Sequence, residues 1–309
     1  MMQSGFTISC SSIGFIGLGR MGAAMVARLI EQGIEVHATD VNEKARNEAM
    51  QVGAKVYPSA QEMIRELPAP AIVWLMIPAQ FVDSVLEEIV VQLPKKSIVI
   101  DGGNSDYRHS RRRYKSLKKE DIHFIDCGTS GGVSGARHGA SLMIGGDKDV
   151  CEAVRPIFKA LAAKHAYARV GEYGAGHFVK AVHNCIEYGM MGALAEGMSL
   201  LHDYQSEFSL DVQAVLNPYE HESIISSRLM SWLAEGVRDG TIQDLEGSVP
   251  VGETEAKMKH LTDLGDMKVL RAALQQRVES REQSSNIGLY TALLRNKFGG
   301  HSVVRKKDK

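Results

Sequence analysis

From Ile13 to about Arg169 the chain alternates short apolar runs with longer stretches whose apolar positions recur at helical spacing. The runs Ile13-Gly14-Phe15-Ile16, Glu35-Val36-His37-Ala38-Thr39, Ala71-Ile72-Val73-Trp74-Leu75-Met76, Ser97-Ile98-Val99-Ile100 and His123-Phe124-Ile125 read as strands. Helical stretches between such runs supply crossovers, so the pattern predicts a doubly wound, mostly parallel sheet. Beyond Gly171 the pattern changes to helices joined by short breaks, without an alternating stretch. The change falls at Val170-Gly171-Glu172-Tyr173-Gly174-Ala175-Gly176, a glycine-rich joint feeding a helix expected from about His177 to Tyr204.

Composition narrows the class. A chain of 309 residues, 44% hydrophobic and 24% charged, can bury one large core or two smaller ones. A formal net charge of −1, from 36 Lys and Arg against 37 Asp and Glu, argues against coating nucleic acid or an acidic membrane. Any bound anion must therefore be held locally. Cys10, Cys127, Cys151 and Cys185 show no metal-ligand spacing and read as free thiols of a reducing compartment. The uncharged leader from Met1 to Gly19 has no basic start and is interrupted by polar residues, unlike a signal peptide. No window approaches the ~18 apolar residues of a membrane-spanning helix. A soluble, cytoplasmic protein is expected, with the basic end Arg305-Lys306-Lys307-Asp308-Lys309 a solvated tail.

The first strand runs into Gly17-Leu18-Gly19-Arg20-Met21-Gly22, which opens a helix whose Met21, Met25, Leu29 and Ile30 face the sheet. That context turns a weak glycine motif into a dinucleotide site. Gly17 permits the tight turn, Gly19 lets a pyrophosphate approach the backbone, and Gly22 allows close helix-on-strand packing. Strand two ends at Asp40, whose carboxylate can accept from the adenosine ribose hydroxyls and would repel a 2′-phosphate. No arginine follows at once in Val41-Asn42-Glu43, so NAD is expected over NADP. Asp40 can also cap the helix starting near Asn42. The fold class is thus α/β, with a Rossmann-type NAD-binding domain over residues 1–170 and an all-helical domain over 171–309.

The helix after the joint reads Phe178-Val179-Lys180-Ala181-Val182-His183-Asn184-Cys185-Ile186-Glu187-Tyr188, apolar nearly all round and so expected to be buried. Lys180, His183, Asn184 and Glu187 fall at i, i+3, i+4 and i+7 and share one face, with Tyr188 beside them. One reading is a solvated face or an internal ion-pair stripe. The other is catalytic: Lys180 a base, Glu187 an acid about 10 Å along the axis, and a short substrate between them. The segments Asp101-Gly102-Gly103-Asn104-Ser105 and Asp126-Cys127-Gly128-Thr129-Ser130-Gly131-Gly132-Val133-Ser134-Gly135 read as loops at the carboxyl edge of the sheet, where such folds bind ligands.

On these motifs the chain resembles the 6-phosphogluconate dehydrogenase family, its short bacterial form, from Ile13 to about His301. The resemblance implies metal-free oxidative decarboxylation of 6-phosphogluconate to ribulose 5-phosphate, in the pentose phosphate pathway and gluconate utilisation. It implies Lys180 as the base on the 3-hydroxyl and Glu187 as the acid that protonates C1 of the enediol. Asn104, Ser130, Gly131, Gly132, His183 and Asn184 match groups that hold the sugar acid, and Tyr188 and Arg277 groups at the phosphate. Arg295 and His301 match an Arg and a His that reach over from a partner subunit's tail, which implies a homodimer or higher homo-oligomer with shared sites. An ordinary basic helix end is the other reading of that pair. The chain departs from the family at Gly252-Glu253-Thr254-Glu255-Ala256-Lys257, where Glu255 replaces a cation of the substrate lining.

Two other functions fit parts of the pattern. A non-decarboxylating β-hydroxyacid dehydrogenase, such as 3-hydroxyisobutyrate dehydrogenase, would share the glycine turn and the helix lysine, but needs no acid at Glu187. A non-catalytic dinucleotide-sensing or nucleic-acid-binding protein would use Arg111-Arg112-Arg113 and the basic tail.

Overall fold

The computed structural model describes residues 8–252 and 254–306. Residues 1–7 of the leader, Glu253, and Lys307, Asp308 and Lys309 of the basic tail lie outside the described residues. The chain divides into two compact units, Met1–Lys180 and Ala181–Lys309. The helix that carries the polar stripe spans this division.

The first unit is built on strands β1 (Ser12–Ile16), β2 (Glu35–Thr39), β3 (Lys55–Val56), β4 (Ile72–Leu75), β5 (Ile98–Asp101), β6 (His123–Ser130), β7 (Ala140–Gly145) and β8 (Ala162–Gly171). Helices α1 (Arg20–Glu31), α2 (Glu43–Gln51), α3 (Ala60–Arg65), α4 (Val82–Val90), α5 (Tyr107–Lys119), α6 (Gly132–His138), α7 (Lys148–Ala153) and α8 (Arg155–Leu161) connect them. The sheet order is β3-β2-β1-β4-β5-β6-β7-β8, and the first six strands are parallel neighbours in the doubly wound order. Successive side chains of a strand point to opposite faces, and each face has its own core. Ile13, Phe15, Ile72, Trp74, Ile98 and Ile100 join the cluster on one side. Ile16, Val73, Leu75 and Val99 join the other. Burial on both faces is why these strands read as continuous apolar runs.

Three strands went unread. β3 is only two residues long, and β8 is an edge strand whose Lys164, His165 and Arg169 are largely solvent-facing, so neither carries an apolar run. β7 alternates buried Ala140, Leu142 and Ile144, and it pairs antiparallel with β6 from Asp126 to Ser130. That pairing corrects the expected loop at Asp126–Gly135. Its first half is strand, although glycine and serine have little strand propensity, because β7 supplies the ladder.

The second unit is helical. It comprises α9 (Ala175–Asp203) from Ala181 onward, with α10 (Gln205–Phe208), α11 (Val212–Glu220), α12 (Arg228–Arg238), α13 (Glu255–Leu264), α14 (Lys268–Glu282) and α15 (Asn286–Gly299). Along α9, Cys185, Tyr188, Met191, Ala195 and Met198 are buried at helical spacing. Cys185 and Tyr188 pack with α13 and α14, and the other three with α11, α12 and α15. The expectation that α9 is buried all round is corrected, since Ile186 is 59% exposed and Met190 and Leu200 are also exposed. The tail is no free solvated end where it is described: Arg305 bridges Leu245, and Lys306 N donates to Asp244 O at 2.9 Å.

Candidate active site

Within the first unit, each glycine of the turn has a steric reason. Gly17 has φ +102°, and a Cβ there would lie 2.7 Å from Ile77 Cγ2. A Cβ on Gly22 would collide with Gly17 O, whereas around Gly19 nothing lies within 4 Å. Gly19 is the N-cap of α1 and has no side-chain cap, and the helix has no acid in its first turn. An open approach to bare helix amides fits a pyrophosphate. Exposed Arg20 and half-buried Met21 open the helix, while buried Leu18 gives its amide to Asp40 Oδ2 at 2.6 Å.

Asp40 does more than end a strand. Its other oxygen accepts from Asn42 N at 2.8 Å, so one carboxylate ties the glycine turn to the start of α2. The structure also brings a cation here: Arg46 donates to Asp40 O at 2.6 Å. Arg46 lies one helical turn beyond the N-cap Asn42, a spacing that could have exposed it.

The Asp101–Ser105 segment is wired from beneath. Asp101 is fully buried and accepts from Ser105 Oγ at 2.7 Å and Arg113 Nη1 at 3.0 Å, and Thr129 Oγ1 donates to Gly102 O at 3.2 Å. Asn104 is half-buried on this framework. Ser130 ends β6, and Gly131 and Gly132, with φ +117° and +63°, make the turn into α6. Half-buried Lys180 belongs to the same unit, with its Cβ directly over Gly128. Arg113 also bonds Asp83 at 2.7 Å, so one of the three consecutive arginines is a buried strut rather than part of a basic surface.

Within the second unit, His183 Nδ1 lies 3.7 Å from Glu187 and 3.3 Å from Asn184 Oδ1. The stripe thus contains an i,i+4 pair and is half-buried rather than enclosed. Tyr188 donates to or accepts from Thr254 Oγ1 at 2.9 Å, and the Arg277 guanidinium lies over its ring, 3.6 Å from centroid to Cζ. Arg277 is 4% exposed and Arg295 6%. Arg277 Nη2 points to Met191 Sδ at 3.8 Å, and Arg295 Nη1 donates to Pro250 O at 2.8 Å. Among the described residues neither makes an ion pair with a carboxylate. Burial pushes Arg277 down to about 10 and lowers Arg295 too, and the charge of Arg295 depresses Arg277 further.

Arg295 therefore sits in the same cluster as Arg277 of its own chain, not on an exposed tail. Exposed His301 follows the left-handed Gly300 that ends α15, with its ring against Phe298 and its amide donating to Arg295 O at 3.4 Å. Glu255, the departure from the family pattern, is 4% exposed and held by both Arg281 nitrogens at 3.1 Å and by Lys259 at 3.2 Å. Burial raises its carboxyl, but these two cations outweigh that and hold it below the ordinary range. Its ion pairs are with Arg281 and Lys259, and its charge offsets only part of the burial that lowers Arg277 and Arg295. Thr254 escaped the sequence reading because its contact with Tyr188 spans 66 positions. Among the described residues no group of three or more His, Cys, Asp or Glu is placed to hold a metal, and no helix is long and apolar enough to cross a membrane.

The family model for the NAD-binding domain of 6-phosphogluconate dehydrogenase matches residues 12–171, and that for its C-terminal domain matches residues 176–245. The YqeC protein of Bacillus subtilis is 38% identical over 95% of this chain and 99% of its own length. The NAD-dependent, decarboxylating 6-phosphogluconate dehydrogenase of Haloferax volcanii is 33% identical over 96% of this chain and 99% of its own. Among solved structures, the 6-phosphogluconate dehydrogenase of Plasmodium falciparum, studied alone, with NADP+ and with 6-phosphogluconate, superposes with a TM-score of 0.78 at 28% identity. That match covers 88% of this chain and 62% of the longer one. The 3-hydroxyisobutyrate dehydrogenase of Mycobacterium tuberculosis shares the fold, with a TM-score of 0.71 at 20% identity over 93% of this chain and 99% of its own.

Proposed function

This chain belongs to the 6-phosphogluconate dehydrogenase family, and on that premise we propose that it converts 6-phosphogluconate to ribulose 5-phosphate and carbon dioxide with NAD. It is an oxidoreductase with a dinucleotide-binding N-terminal domain. The observation that carries the substrate class is the pair of buried guanidiniums, Arg277 and Arg295, with no carboxylate partner among the described residues. Buried charge without a counter-charge is costly, and a phosphate dianion would supply that counter-charge in a geometry that suits guanidinium.

The bound nicotinamide supplies the hydride acceptor. Lys180 takes the proton of the 3-hydroxyl while hydride leaves C3, giving a 3-keto acid. The C1 carboxylate then leaves as carbon dioxide while Lys180 returns its proton to the C3 oxygen, so that the electron pair remains in an enediol, and Lys180 takes that proton back when the carbon is protonated. Glu187, two turns from Lys180 on the same helix, protonates the carbon left behind, and His183 beside it is the group with which it exchanges charge. Asn104, Ser130, Gly131, Gly132 and Asn184 hold the sugar acid, and Tyr188 presents Arg277 to the phosphate. Asp40 favours NAD by repelling a 2′-phosphate. The protein acts in the cytoplasm as a homodimer or higher homo-oligomer. Arg295 serves its own chain's site, and His301 reaches a partner's.

Purified protein given 6-phosphogluconate and NAD is expected to release carbon dioxide in step with NADH. NADH without carbon dioxide would overturn this in favour of simple β-hydroxyacid oxidation. Lys180→Met is expected to abolish NADH formation, whereas Glu187→Gln leaves hydride transfer measurable in a single turnover and slows carbon protonation, read by solvent deuterium incorporation.

A further inference from the structure

We propose that Asp126 is a positioning residue for the reaction, holding the first turn of α9 on strand β6 and so setting where Lys180 stands. This rests on the reading of Lys180 as the base. The joint that starts α9 has glycine at its cap position, Gly174, and a glycine offers no side-chain acceptor to the helix amides. Asp126 supplies the missing cap from another element. Its side chain is 0% exposed, Oδ1 accepts from Gly174 N at 2.6 Å, and Oδ2 accepts from His177 N at 2.8 Å. A carboxylate at this end also meets the positive end of the helix dipole.

Glycines bring the two elements into direct contact. A Cβ on Gly145 would lie 2.6 Å from both Asp126 Oδ1 and Gly176 N, and one on Gly128 would lie 2.5 Å from Lys180 Cβ and 2.8 Å from Gly176 O. The strand backbone is therefore the surface against which the lysine stem rests. A second tether comes from α5, where Ser110 Oγ and His177 Nδ1 are 2.6 Å apart and both residues are buried. Lys180 follows His177 by three residues, one turn on and on the same side of the helix. These residues all lie in the first unit, so the base keeps register with the nucleotide-binding sheet. Burial holds the Asp126 carboxyl above its ordinary value, although His177 and the two amides act to lower it.

An asparagine has the same shape but offers one acceptor oxygen and an NH₂ that confronts one of the amides. Three measurements on Asp126→Asn and Gly128→Ala test the inference: amide hydrogen exchange over residues 174–180, NAD affinity, and turnover. Asp126→Asn is expected to speed exchange at Gly174 and His177 about tenfold. Both variants should bind NAD within about twofold of the parent and lose about 10- to 100-fold in kcat with little change in KM, because small displacements of a reacting group cost rate rather than affinity. Gly128→Ala leaves Asp126 in place and presses on the Lys180 stem and the Gly176 carbonyl of the same turn, so its loss of kcat does not depend on how well Asp126→Asn folds. Parental kcat in both variants, or unchanged exchange in Asp126→Asn, would overturn the proposal. If the parent turns over no aldonate, the proposed reaction falls while this inference is still read by the rate at which an amine-reactive reagent labels Lys180. A several-fold change in both variants supports it, and unchanged labelling overturns it.

Discussion

On the proposed preference for NAD, Asp40 and Arg46 are expected to pull in opposite directions. The carboxylate has one oxygen on Leu18 N and the other on Asn42 N, and the guanidinium is anchored to the Asp40 carbonyl. Removing the carboxylate while keeping its hydrogen-bonding size should release that contest in favour of Arg46. Asp40→Ser is therefore expected to raise kcat/KM with NADP relative to NAD by about 10-fold or more, since each ~1.4 kcal/mol of removed repulsion is a factor of ten. The ratio of specificity constants for the two cofactors reads it. An unchanged ratio would mean that Arg46 is held only as a helix-start strut. Glu255 shows the same point at another site: a sign reversal that looked aimed at the substrate is absorbed by Arg281 and Lys259. Acidic Glu220 is likewise taken up by Arg238 at 2.7 Å.

At the scale of elements, α5 shows how a basic stretch is sorted by face. Ser110, Arg113, Tyr114 and Leu117 are buried at helical spacing, so Arg113 was marked as inward by its position. Arg112 pairs with Asp83 on the outside. Asp106 caps this helix, accepting from Arg108 N at 2.8 Å and from the Arg108 guanidinium at 2.9 and 2.6 Å. The Arg108 hydrogen bond holds its carboxyl down to about 2, from an ordinary 3.8. A depressed carboxylate stabilises the fold above its unfolded value, and that contribution is lost as pH falls through the folded value. The parent should thus exceed Asp106→Ala in stability by about 1 kcal/mol near neutrality. The gap should close as pH falls from about 4 to about 2, followed by denaturant unfolding at each pH. A gap that stays constant across that window would remove the ionic part of the cap. β6 carries the complementary lesson, since its second half is strand only because β7 lies beside it.

Over the whole chain, a net charge of −1 conceals a second unit with two buried cations that lack carboxylate partners among the described residues. Arg277→Ala should raise KM for a phosphorylated aldonate by about 100-fold, the loss of one charge-assisted contact, and leave an unphosphorylated aldonate within about twofold. Equal loss on both would place Arg277 at the sugar acid instead. Much of the architecture was legible along the chain. Doubly buried strands must be apolar at successive positions, a nucleotide turn needs its glycines at fixed offsets, and a polar stripe at i, i+3, i+4 and i+7 shares a face on any helix. These are local periodicities, and Lys180 and Glu187 were singled out as candidates through them. Asp126 as the cap of α9, Gly128 under Lys180, Thr254 on Tyr188 and Arg281 on Glu255 were decided by the fold, because each contact joins residues 26 to 66 positions apart. No window along the sequence spans that distance. Which buried charge is neutralised, and which is left for a ligand, depends on neighbours that only packing supplies.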